Sequence, residues 1–238
     1  LNFCNCSLSS SRFWKPTTCL KLLPPEQKKV YKEMKKYAIS ELSGIGTVSA
    51  SSVITQIIRL HQISCGFAST DDSEIKDIPN RRTDELMQIL SETEGKVIIW
   101  ENYRHDIQRL HKLISKEYGE DSVGTYYGDT SDTDREQLIN KFQDKNNPLR
   151  FFIGNTQTGG YGITLTAANT VVYFSNNYDL EKRLQSEDRA HRIGQTNKVT
   201  YIDIVCKDTV DEKIVQALRN KLNLAQTVLG EEAWEDWL

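Results

Sequence analysis

"FFIGNTQTGGYGITLTAANTVVYF", Phe151 to Phe174, sets two apolar runs of strand length on either side of a glycine-rich centre. A strand that is apolar on both faces belongs inside a parallel sheet covered by helices on two sides. Working outward, "KVIIW" (Lys96 to Trp100), "VGTYY" (Val123 to Tyr127), "RFFIG" (Arg150 to Gly154), "VVYF" (Val171 to Phe174) and "VTYIDIV" (Val199 to Val205) repeat that signature. Most are separated by a helix-length amphipathic segment, such as "YRHDIQRLHKLI" with Ile107, Leu110 and Ile114 on one side. The alternation predicts an α/β body from about residue 82 onward. In such open sheets ligands gather at the carboxyl ends of strands, here just after Trp100, Tyr127, Gly154 and Phe174.

Upstream the text is helical. "PPEQKKVYKEMKKYAISEL" opens with prolines suited to a helix start and places Val30, Tyr31, Met34, Tyr37 and Ala38 at helical steps. After a loop, "SGIGTVSASS", the run "VITQIIRLHQI" repeats the pattern with Val53, Ile54, Ile57, Ile58 and His61. "ASTDDSEIKDIPNRR", Ala68 to Arg82, is polar and reads as a linker or exposed loop. Two parts are expected: residues 1–81 as a helical segment with its linker, and 82–238 as the α/β domain with a C-terminal helix.

The 238 residues suffice for one good core with an appendage, and no apolar run approaches the ~20 residues of a membrane span. A soluble protein with no membrane partner is expected. Net charge is −3, unlike the strongly basic balance of a simple nucleic-acid binder, so any such contact must be local. Between Arg12 and Lys36 eight Lys or Arg face two Glu, which a solvated helix face explains better than a DNA patch. Of five cysteines only Cys4 and Cys6 lie close, with no second pair to complete a zinc site, so reduced thiols and no bound metal are expected. The chain begins at Leu1 in a polar stretch and reads as a fragment of something longer.

A phosphate-cradling loop needs G-x-x-x-x-G-K-[ST], but the one Gly-Lys pair, Gly95-Lys96, has no glycine five positions earlier and is followed by Val97. Asp84-Glu85 and Asp211-Glu212 read as helical and exposed, unlike magnesium-binding acids after a buried strand. Self-contained ATP hydrolysis is therefore not expected. In the glycine-rich centre, Asn155 to Thr158 lead into Gly159-Gly160-Tyr161-Gly162, and "ITLTAAN" reads as one or two helical turns. Such a junction suits either a phosphate or simply a tight turn. In "QSEDRAHRIGQ", Gln185 to Gln195, Arg189 and Arg192 stand three apart on one helix face, with Gln185 a turn earlier. Guanidinium groups suit charge developing in phosphoryl transfer, and equally a surface ion network with Glu187 and Asp188.

Taken together, these segments strongly resemble the last motif blocks of the Swi/Snf-type DNA translocases of helicase superfamily two. "TQTGGYGITLTAAN" matches the family's fifth motif and "QSEDRAHRIGQ" its sixth, while "KVIIWENYRHDIQRL" is similar to the fourth and "YYGDTSDTDREQLINKFQ" to the block after it. "LPPEQKKVYKEM" and "ITQIIRLHQISCG" resemble the segment joining the two motor lobes. The resemblance covers nearly the whole chain in order.

It implies an α/β, RecA-like parallel sheet sandwiched by helices, with an N-terminal helical extension. This would be the second lobe of an ATP-dependent motor. ATP and magnesium would be held mainly by a first lobe outside this chain. Arg192, and with it Arg189, would be arginine fingers, and Gln185, Gly160 and Gly162 would line the nucleotide side. Thr156, Gln157 and Thr158, with Asn102, Tyr103, Arg104, Tyr127 and Gly128, would face the phosphates of double-stranded DNA. The partners implied are that DNA and the N-terminal lobe of the same protein, with the whole acting as a monomer. Gln157 stands where family members often carry Arg or Lys, and "SNNYDLEKR" replaces a Trp-Asn-Pro run. The second departure, with the "RLHQISCG" linker, points towards a bacterial, phage or annealing-type branch, working in the cytoplasm, or in the nucleus of a eukaryote. Two other readings compete: a non-catalytic binding or regulatory module built on a helicase lobe, and a strand-separating helicase, for which the sequence offers no obvious hairpin pin.

Overall fold

The computed structural model describes residues 17–37, 39–42, 46–49, 53–72, 74–158 and 162–220. In chain order its elements begin β1 (Thr17–Lys21), α1 (Pro25–Tyr37), β2 (Ile39–Leu42), β3 (Gly46–Ser49), α2 (Val53–Cys65), β4 (Phe67–Ser69) and β5 (Ile75–Asp77). They continue α3 (Arg82–Glu92), β6 (Lys96–Trp100), α4 (Arg104–Tyr118), β7 (Val123–Tyr126), α5 (Asp132–Gln143), β8 (Phe151–Gly154), β9 (Ala168–Tyr173), α6 (Leu180–Glu187), β10 (Thr200–Cys206) and α7 (Val210–Arg219). Contacts divide the chain into two units, one built on residues 86–177 and 181–204, the other on 20–85, 178–180 and 205–220.

The first unit is built around a six-stranded sheet of order β1-β10-β9-β6-β8-β7. Pairing is parallel from β10 to β7, with Val97 opposite Phe151 on one side and Thr170 on the other. Because strand side chains alternate between faces, the apolar runs feed two cores. Val97, Ile99, Phe151, Ile153 and Val172 join Leu86, Leu90, Ile107, Leu110 and Ile114 of α3 and α4. Ile98, Trp100, Phe152, Val171 and Tyr173 join Phe142 of α5. The helix-covered parallel sheet expected from strands apolar on both faces is what the chain forms, and with it the RecA-like sandwich that the resemblance implies. Gly154 allows β6 and β8 to pack here, since a Cβ on it would stand 2.7 Å from the Trp100 ring. "VGTYY" and "VVYF" mark β7 and β9 with ends shifted by a few residues. β1, within the part expected as a helical segment, carries only Cys19 as a core-facing apolar residue.

In the second unit, α1, α2 and α7 bury Val30, Tyr31, Met34, Leu60, Ile63, Val210, Ile214 and Leu218 together. Two sequence expectations are corrected here. The segment read as a linker is an antiparallel hairpin, β4 with β5, closed by Thr70, whose amide donates to the Glu74 carbonyl at 2.8 Å and whose hydroxyl accepts from the Glu74 amide at 3.1 Å. The "SGIGTVSASS" loop likewise contains β3, paired antiparallel with β2, so hairpins exist where none was expected. Their strands are three or four residues long, too short for a period-two pattern to emerge from polar text. Within α2, Ile57 and His61 are buried as their spacing suggested and Leu60 and Ile63 join them, whereas Ile58 is exposed.

Asp211, read as an exposed helical acid, is instead buried at the start of α7. Arg82 forms an ion pair with it, Ser64 Oγ donates to it at 2.7 Å, and the Cys206 amide donates at 3.0 Å. Thr209 caps the same helix, its hydroxyl accepting from the Asp211 amide. His61 Nε2 lies 3.7 Å from the carboxylate, but burial and the Arg82 charge push its imidazole down to about 3, so it is neutral at ordinary pH. Charge pattern alone hid Asp211, because its partner Arg82 is 129 positions away.

Candidate functional site

The site is built where α6 stops. The helix ends at Glu187, short of both arginines, so Arg189 and Arg192 do not share a helix face as their spacing suggested. The Glu187 carbonyl accepts from the amides of Ala190 and His191, each at 3.2 Å, and from the Tyr201 hydroxyl at 3.1 Å. Beyond that point the chain is bound to the strap 162–168 instead. Leu165 N donates to Arg189 O at 2.8 Å, and Gln195 Nε2 donates to the carbonyls of Thr166, Ala168 and Ala190 at 2.9–3.1 Å. The strap is extended and turned, not helical as "ITLTAAN" suggested, because its Leu165 amide and its Thr166 and Ala168 carbonyls are taken up by these partners.

Both guanidinium groups converge on the strap. Arg192 Nη1 donates to Thr164 Oγ1 at 3.0 Å and to the Gly162 and Ile163 carbonyls at 3.3 and 3.4 Å. Arg189 Nη1 reaches the Ile163 carbonyl at 3.4 Å. Gly162 takes φ +68°, a left-handed conformation that glycine adopts freely. Arg189 is buried, and burial followed by the Arg192 charge lowers its proton affinity below the ordinary guanidinium value. Arg192 is exposed and stays within reach of a ligand. Gln185, expected beside them, donates to Glu181 Oε1 one turn back along α6. Gly160 lies outside the described residues.

Beneath this segment lies a buried charged cluster that sequence reasoning missed. Arg183 Nη1 donates to Asp203 Oδ1 at 2.6 Å and also to Asn176, its Nε meets Glu187 Oε1 at 2.5 Å, and its plane lies 3.4 Å over the Tyr173 ring centre. Tyr173 Oη and Ser186 Oγ are hydrogen-bonded at 2.7 Å. The available signals were slight: a lone Asp in the apolar run "TYIDIVC", and an Arg-Glu pair at i,i+4. The two carboxylates raise the already high basicity of Arg183 against the opposing effect of burial. Glu187 is pushed up to about 7 by burial, against the pull of Arg183 and with Asp203 adding to the rise.

A carboxyl raised on folding contributes stability that is complete below its ordinary pKa and is lost as pH rises through about 7. Glu187→Gln, neutral throughout, should therefore gain in melting temperature relative to the unaltered protein between about pH 5 and about pH 8. Thermal unfolding of both proteins across that range checks it, and a constant difference would refute the assignment.

The remaining candidates form a rim along the carboxyl ends of β6, β8 and β7, neighbours in the sheet. Asn155 Nδ2 donates to the Asn102 carbonyl at 2.7 Å, and Asn155 N to the Tyr126 carbonyl at 3.1 Å. Glu101 is buried and its Oε1 accepts from the amides of Asn102 and Tyr103, both at 2.9 Å, fixing the turn into α4. Arg104 lies 5.8 Å over the Tyr127 ring centre and forms an exposed ion pair with Asp129. Arg135 holds the Tyr127 and Gly128 carbonyls at 3.2 and 3.4 Å. Gln157 and Gly128 are exposed, and Asn102, Tyr103, Tyr127 and Thr158 half-buried. Thr156 is buried, and its hydroxyl has no hydrogen-bond partner among the described residues. Among the described residues no cluster of His, Cys, Asp or Glu could hold a metal ion, and no helix is long and apolar enough to cross a membrane.

A parallel six-stranded sheet with helices on both faces, carrying its polar loops at the strand ends, defines a RecA-like lobe. Residues 81–194 match the helicase conserved C-terminal domain. The ATP-dependent helicase FUN30 of Saccharomyces cerevisiae is 31% identical over 190 residues, which are 76% of this chain and 16% of that protein. The SWI2/SNF2 ATPase C-terminal domain of Sulfolobus solfataricus shares the fold, with a TM-score of 0.64 at 23% identity over 92% of this chain and 91% of that one. The core of the same ATPase in complex with dsDNA gives a TM-score of 0.64 at 23% identity, covering 94% of this chain and 49% of that one. The chain thus carries a helicase C-terminal domain, has Snf2-type helicases as relatives and shares the fold of a Swi2/Snf2 ATPase C-terminal lobe. It spans a fifth or less of the length of curated relatives that it matches.

Proposed function

We propose that this lobe completes an ATPase site held mainly by a preceding lobe, and that it grips the phosphates of double-stranded DNA as part of a translocating motor. The observation that carries the reading is the pair of arginines braced on the Gly162–Thr164 strap, one buried and one exposed. Their cationic donors suit the oxygens of a triphosphate, while the sequence offers no phosphate-cradling loop or magnesium-binding acid pair, so the holding of ATP and magnesium is assigned mainly to the first lobe. Arg192 acts as the principal finger and Arg189 as its buried companion, with Gln185, Gly160 and Gly162 on the nucleotide side.

The rim of Asn102, Tyr103, Arg104, Tyr127, Gly128, Gln157 and Thr158 supplies amide, hydroxyl and guanidinium donors suited to a sugar-phosphate backbone without reading bases. Thr156 joins them only when its buried hydroxyl is uncovered. The Sulfolobus core bound to dsDNA supports a DNA partner for this chain. Closure of the two lobes on ATP and reopening after hydrolysis would move the grip along the strand. The protein acts as a monomer, in the nucleus if eukaryotic and in the cytoplasm if bacterial.

The test compares the chain alone with the chain joined to its first lobe. The isolated chain is expected to show no ATP turnover above background, and the joined protein DNA-stimulated hydrolysis. Turnover by the isolated chain would sink the reading.

A further inference from the structure

The reading of Arg189 and Arg192 as fingers leaves unexplained why a charged cluster is buried beneath them. One guanidinium and two carboxylates taken out of water cost more than an apolar core of similar volume, so stability does not account for the cluster. What such a network supplies is a defined position, because every member constrains the others. Its members come from three places: Tyr173 and Asn176 at the end of β9, Asp203 in β10, and Arg183, Ser186 and Glu187 in α6. Ser186 Oγ donates to the Arg183 carbonyl at 2.7 Å while paired with Tyr173, which ties the last turn of α6 to β9. Glu187 is the last helical residue, and its carbonyl collects the Tyr201 hydroxyl and the two amides that open the arginine segment. At its far end that segment is held by Gln195.

We propose that Arg183 is a positioning residue for the arginine pair. By bridging Asp203 and Glu187 it fixes the point from which residues 188–192 leave α6, and so the placing of Arg192 against the strap. The inference rests on the finger reading above. It assigns Arg183 no contact with nucleotide or DNA.

The test uses the full-length protein and follows kcat, the KM for ATP, DNA affinity and melting temperature for Arg183→Gln, Arg192→Ala and their combination. A misplacement of about 1 Å can cost on the order of 10²-fold in rate, so Arg183→Gln is expected to lower kcat by roughly 10- to 100-fold. KM and DNA affinity should stay within about two-fold, and the double variant should be no slower than Arg192→Ala alone, because groups acting as a unit are non-additive. A merely structural role would give losses that multiply, and that result, or an unchanged kcat in Arg183→Gln, overturns the proposal. Arg183→Lys serves if Arg183→Gln does not fold, since it keeps a cation but lacks the separate Nε and Nη1 donors that reach Glu187 and Asp203. The same pattern is expected at roughly 3- to 10-fold, and an unaltered kcat overturns the bridge. If instead Arg192→Ala itself leaves turnover intact, the finger reading fails, an outcome distinct from a failure at Arg183.

Discussion

In the full-length protein, Arg192→Ala is expected to lower DNA-stimulated ATP turnover by about 10³-fold or more, with little change in DNA affinity. The size follows from what a finger does: it meets charge that develops only in the transition state, so its removal falls on kcat instead of binding. Arg192 is the better placed of the pair, since it is exposed and held by three weak contacts on the strap that a phosphate could displace. Arg189→Ala should also cost activity but with lowered stability, because it empties a buried site beside Ile163. Steady-state kinetics at saturating DNA separate the two, and near-normal kcat in Arg192→Ala would remove it from the active site.

The second large effect concerns stability. Asp211→Ala is expected to destabilise its unit by about 3 to 5 kcal/mol, the usual cost of leaving one member of a buried ion pair without the other. Arg82 is equally buried, and the Ser64 hydroxyl and Cys206 amide lose their acceptor at the same time. Replacing both partners, Arg82→Met with Asp211→Leu, should cost less than Asp211→Ala alone, since no uncompensated charge remains. Denaturant unfolding measures both variants against the unaltered protein, and a double variant worse than the single would show that hydrogen bonds, not charge, dominate there.

Much of this was legible in the residues. The sheet could be read because β6, β8 and β9 are apolar on both faces, a pattern that surface elements do not imitate. The rim followed from the rule that ligands collect at carboxyl ends of strands, and Asn102 and Tyr127 do stand there. What stayed hidden has physical reasons. The helix through Arg189 and Arg192 was inferred from spacing alone, whereas Tyr201 on the Glu187 carbonyl and Leu165 on the Arg189 carbonyl hold the chain from outside the local window. Arg183 looked like any surface helix cation, because Asp203 lies twenty positions away on another strand. The short hairpins carry too few residues to show alternation, and the burial of Thr156 depends on its packing, which no local pattern encodes.

The departure of the arginine segment from helical geometry has a consequence for protein engineering. On a helix, two arginines three apart would carry their mutual geometry with them into any host. Here the spacing is dictated by a second strand of chain, the strap from Gly162 to Ala168, through Leu165, Thr166 and Ala168. Transplanting "QSEDRAHRIGQ" into another lobe would move the letters without the shape. A functional chimera has to exchange both segments as one cassette.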